Sequence, residues 1–144
     1  IMSNALMKAS LGHLNLRDIN LIIFPDWTQP EETVGWELQE VIKNLVTHPD
    51  RAKMTLLIDN SNIIAEDADL ILSSVAMNLL MEEELEVDEG PEIILLGELS
   101  QIQWSALIPQ LQGRIKLEHE NGKAIASAKA SHITTLSLND LANS

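Results

Sequence analysis

The chain contains no cysteine and no tyrosine, and its aromatic residues are limited to three tryptophans and one phenylalanine. The lack of cysteine excludes disulfides, thiol nucleophiles and thiolate metal sites, and it is compatible with a reducing, cytoplasmic setting. Basic residues are also scarce, nine against 22 acidic ones, giving a formal net charge of −13. Such a field repels nucleic acid and anionic membrane surfaces, so neither is expected as a partner. No apolar run approaches the roughly 20 residues of a membrane span. Long glycine-rich turns are missing too, as are a Walker-type lysine loop and a Gly-x-Ser-x-Gly elbow, so the common phosphate-cradling and nucleophile motifs are absent.

What is present is a set of short apolar runs that alternate with helix-like stretches. Four of them are Asn20-Leu21-Ile22-Ile23-Phe24, Met54-Thr55-Leu56-Leu57-Ile58, Glu92-Ile93-Ile94-Leu95-Leu96 and Arg114-Ile115-Lys116-Leu117. The first three are nearly continuous, as suits strands covered on both faces. The fourth alternates, which predicts an edge strand. A weaker fifth run is Ile133-Thr134-Thr135-Leu136-Ser137-Leu138. A chain of 144 residues can bury a sufficient core as one domain. The expected fold is α/β, a three-layer α/β/α sandwich around a Rossmann-like parallel sheet of about four to five strands, with the order 3-2-1-4-5.

Helix signals lie between the runs. Thr28, Pro30 and Glu31 predict a capped start to a first helix reaching His48, where Pro49 stops it. Its apolar stripe is Val34, Leu38, Val41, Ile42 and Leu45, with Glu37, Glu40, Lys43 and Asn44 facing outward. A second helix, over 66–85, is apolar on more than one side from Leu70 to Met81, which predicts deep burial or cover by another chain, such as a homodimer partner. Ser100 and Gln103 form a capping box for a third helix that contains Pro109, and 123–128 favours a short fourth. Ser3-Asn4-Ala5 resembles a tag remnant, so residues 1–10 are set aside as a tag remnant and disordered lead. Residues 11–144 are expected to be a single domain excised from a longer protein.

Ligands of parallel sheets bind beyond the carboxyl ends of the strands. There the chain places Asp26, Trp27 and Thr28; then Asp59, Asn60 and Ser61; then Gly97, Glu98 and Ser100; then Glu118, His119 and Glu120. These residues form an acidic, hydrogen-bonding rim suited to sugar or ribose hydroxyls, with Trp27 as the stacking group. The same polarity also serves exposed loops that cap helices. His119, between Glu118 and Glu120, is the histidine placed for proton transfer; the spacing of the four histidines matches no metal pair. A phosphorylated receiver would need an acidic pair after the first strand and a late lysine, and both are missing. No catalytic residue, metal or cofactor is assigned.

The segments Ile22-Ile23-Phe24-Pro25-Asp26-Trp27 with Gln29-Pro30-Glu31-Glu32, Met54 to Asp59, Glu66-Asp67-Ala68-Asp69 with Ser73 to Glu83, and Gln103-Trp104 resemble a region of large cyanobacterial proteins. Those proteins combine tetratricopeptide repeats with methyltransferase and glycosyltransferase-like parts. The resemblance covers Asp18 to Glu120 and implies a glycosyltransferase-like domain, similar to one Rossmann-like half of a two-domain enzyme. It implies a nucleotide-sugar ligand and neighbouring domains of the parent protein as partners. The family's basic diphosphate clamp has no counterpart here beyond Lys123. Glu98, Glu118 or Glu120 would be the ribose or sugar carboxylate, and the helix opened by Ser100 would offer backbone donors. The alternative is a catalytically silent interaction or assembly module.

Overall fold

In a computed structural model of the chain, the residues described are 16–87, 90–130, 133–138 and 140. The tag-like residues 1–10, His13 and His132 lie outside them. Strand β1 (Ile19–Ile23) leads into helix α1 (Glu31–Val46), β2 (Met54–Ile58) into α2 (Ala65–Glu83), and β3 (Glu92–Leu95) into α3 (Gln101–Leu107). Then follow β4 (Gly113–Ile115), α4 (Gly122–Ala128) and β5 (Thr135–Leu136). The five strands form one sheet in the order β3-β2-β1-β4-β5, and every pairing is parallel. Ile22 pairs with Leu57 on one side and Arg114 on the other, so β1 sits at the centre.

Alternation along the central strands feeds two cores. Leu21, Ile23, Leu56 and Ile58 pack against Val34, Leu38, Val41, Ile42 and Leu45 of α1 and Val75 and Leu79 of α2. Ile22, Phe24 and Leu57 point to the other face, where Trp104, Leu107, Ala124 and Ala128 of α3 and α4 cover them. Because both faces are covered, the strands are apolar at successive positions, which makes the runs continuous in sequence. The result is the expected three-layer α/β/α architecture.

Several local expectations are corrected. β4 is not an edge: it lies between β1 and β5, and it is only three residues long. Its alternation reflects the brevity of the strand, since Lys116 and Glu118 already belong to the exposed loop that follows. α1 has Pro30 at its N-cap with no side-chain cap, because Thr28 turns back to donate to Asp26. Glu37 does not face outward; it is buried. α2 is not deeply buried: Ala68, Val75 and Leu79 meet the core, while Leu70, Met77, Leu80 and Met81 are exposed. The capping box of Ser100 and Gln103 forms as expected. Pro109 ends α3, whose last turn tightens to a 3-10 turn at Ile108–Gln110.

Candidate functional site

The strand order reverses direction between β1 and β4, and polar loops gather at the carboxyl ends of the strands there. Backbone bonds knit these loops together. Asp59 N–H donates to the Ile23 carbonyl at 3.0 Å, Leu96 N–H to Ile58 at 3.0 Å, and Asn121 N–H to Phe24 at 2.8 Å. Asp26 N–H donates to the His119 carbonyl at 3.2 Å, and Pro25 bridges to Glu120. Residues far apart in sequence are thereby held around one cleft of about 660 Å³. It is lined by Asp26, Thr28, Asp59, Ser61, Asn62, Gly97, Glu98, Glu120, Asn121 and Lys123, with Trp104, Ala124 and Ser127 on the side of α3 and α4.

Asp59 is the deepest of the carboxylates, only 1 % exposed. Its Oδ2 accepts from Ser61 Oγ at 3.1 Å, while Oδ1 has no hydrogen-bond partner among the described residues. Burial pushes its pKa above the ordinary carboxylate value, and the Ser61 and Asn121 dipoles act in the opposite direction. Asp26, at the rim, is shifted the other way. Thr28 Oγ1 and Gln29 Nε2 donate to it and hold its pKa below the usual value. One cleft therefore contains a carboxylate whose pKa is lowered by hydrogen bonds and another whose pKa is raised by burial.

Glu120 Oε2 pairs with Arg114 Nη1 at 2.7 Å, a mostly buried ion pair at the end of β4. Asn121 caps α4 by accepting from Ala124 N–H, which points Lys123 into the cleft from the first turn of that helix. Gly97 has φ +67°, a left-handed conformation suited to glycine, and its N–H donates to Asn60 Oδ1 at 2.5 Å. That bond fixes the loop after β3 to the end of β2 and sets the position of Glu98.

Of the residues singled out from sequence, Asp26, Thr28, Asp59, Ser61, Gly97, Glu98 and Glu120 line the cleft together. The others are placed elsewhere. Asn60 is buried beneath the cleft as a loop brace, and Ser100 is occupied by its capping box. Glu118 is exposed and outside the lining. His119 turns to α1, where Glu37 Oε1 accepts its backbone N–H at 3.0 Å and Oε2 lies 3.2 Å from its Nδ1. Trp27 is 7 % exposed in the core against α1, and its Nε1–H donates to the Asp59 carbonyl at 2.8 Å. It braces the acidic loop instead of offering a face for stacking. Trp104 borders the cleft but is equally buried, its ring 6.0 Å from Phe24 in a stacked arrangement.

Sequence reasoning passed over Asn62, Asn121 and the Arg114–Glu120 pair. The one signal for Asn121 was its place before Gly122, which reads equally well as a turn. Among the described residues, no three His, Asp or Glu side chains are grouped to hold a metal ion, and no helix is long and apolar enough to cross a membrane. Compared with family models, curated proteins and solved structures, the chain matches none of them.

Proposed function

We propose that this cleft binds the hydroxyl-rich part of a nucleotide-sugar, as the donor-binding half of a glycosyltransferase-like protein. The observation that carries the reading is Asp59. A carboxylate oxygen buried without a partner is costly, and a ligand hydroxyl donating to Oδ1 would satisfy it. The surroundings fit the same chemistry: Asp26, Glu98 and Glu120 accept hydrogen bonds, Ser61, Asn62 and Asn121 both donate and accept, and the half-buried Leu99 offers apolar surface. Lys123 supplies one cation for a phosphate. With a single cation, most of the recognition falls on the sugar and ribose hydroxyls.

Titration of the 15N-labelled chain with UDP, GDP and their sugars tests this proposal. The amides of Asp59, Ser61, Gly97 and Asn121 should shift at millimolar ligand, and Asp59→Ala should abolish the shifts while leaving the fold intact. An unperturbed spectrum with every ligand would sink the proposal. A second reading, an interaction module, draws on the exposed apolar face of α2, which lies across the sheet from α3 and α4. Both roles can reside in one chain.

A further inference from the structure

A groove of about 800 Å³ runs between α1 and α2, separate from the cleft. Trp36, Ile71, Ser74 and Asn78 form its walls, and Glu31 and Glu32 close one end. Beside it, α2 turns Leu70, Met77 and Met81 outward; these and Trp36 are 66, 56, 74 and 59 % exposed. Positions 70, 77 and 81 are spaced by seven and four residues, so the three side chains share one helical face. Single exposed apolar residues are ordinary, but a continuous row beside a groove marks an interaction surface.

Gly35 of α1 lies in the lining of this groove. Glycine inside a helix costs about 1 kcal/mol relative to alanine. Its place in α1 is not demanded by packing, because an added Cβ would meet nothing within 4 Å. What the missing side chain does is keep the groove open next to Trp36.

The charge around the groove selects the occupant. Glu31 and Glu32 are the charged residues of its lining, and Lys43, the one basic residue of α1 and α2, is already engaged with Glu83 at 2.6 Å. A second copy of this chain would set acid against acid. We infer that the α1/α2 groove docks a cationic amphipathic helix, whose apolar residues enter beside Trp36 and Met77 while its flanking lysines or arginines meet the acidic borders.

The test uses fluorescein-labelled helical peptides of about 18 residues. One has leucines along a single face and lysines beside them, another has the same composition shuffled so that no apolar face forms, and a third has glutamate in place of lysine. Anisotropy against the 144-residue chain should show the first peptide binding at least about tenfold more tightly than either control. Gly35→Gln, which fills the groove, and Met77→Ser, which removes an anchor, should each weaken it by about tenfold. Both sites are solvent-facing, so circular dichroism should be unchanged. Equal binding of the shuffled peptide would reduce the effect to bulk charge and overturn the inference, as would variants that bind normally. A concentration-dependent dimer in sedimentation that Met77→Ser abolishes would assign the face to a second copy and overturn it as well.

Discussion

Glu37 on α1 holds the loop of His119 with both carboxylate oxygens, accepting the backbone N–H at 3.0 Å and facing Nδ1 at 3.2 Å. The next residue, Glu120, enters the cleft, so a helix on one face of the sheet positions a cleft-lining carboxylate at the carboxyl ends of the strands. Glu37→Ala would leave the His119 N–H without its acceptor and should lower unfolding stability by about 2 kcal/mol in urea titrations. Glu37→Gln keeps an acceptor oxygen and should retain most of that stability.

Asp59→Asn should stabilise the protein at neutral pH by about 1 kcal/mol, because it removes a buried charge with an unpartnered oxygen. The raised pKa means the folded state holds the proton more tightly than the unfolded chain. The stability of the parent protein therefore falls as pH rises through the window from the ordinary carboxylate value to the raised one. The advantage of the variant should be largest above that window and vanish below it. A gain independent of pH in thermal melts would contradict this account. The same substitution should weaken binding of a hydroxyl-bearing ligand.

Thr28→Val removes the largest of the influences that keep the pKa of Asp26 low. An NMR titration of the Asp26 carboxyl should show its pKa moving up toward the ordinary value. A depressed pKa lends stability above the ordinary carboxylate value, and that stability is lost as pH falls through the folded value. The variant should accordingly lose less stability on acidification than the parent does.

Glu120→Ala should destabilise by about 3 kcal/mol, since it strands the Arg114 guanidinium in a mostly buried site. Among the described residues, Arg114 Nε already lacks a partner. The double variant Arg114→Met with Glu120→Leu should recover much of the loss, and a double-mutant cycle by chemical denaturation measures the coupling.

The parts of the fold legible in sequence are those set by local chemistry. The runs at 21–24 and 56–58 read as strands because each successive side chain meets a core on one face or the other. The capping box at Ser100 read correctly because both partners lie within one turn. Glu37 was misjudged because a helical wheel assigns its polar side to water, whereas here the loop after β4 folds over that side. The breadth of α2 was visible, but the choice between burial in its own fold and an open face was not, since apolar spacing carries no sign of whether a neighbour is present. Trp27 was misplaced for a similar reason: it adjoins a strand end in sequence yet turns into the core, as Trp104 on α3 does from the opposite layer.

By itself the sequence determined the kinds of element, their order and the carboxyl-end rim where polar residues accumulate, because apolar periodicity and helix caps act over a few residues. Which of those polar residues share a cleft was decided only by tertiary structure. The Asn121 N–H to Phe24 carbonyl bond and the Asp26 N–H to His119 carbonyl bond join loops more than 90 residues apart, and they set which side chains turn inward. Asp59 belongs to both accounts: its place after a strand is written locally, but its burial and its unpartnered oxygen exist only once Trp27, Ser61 and Asn121 close around it.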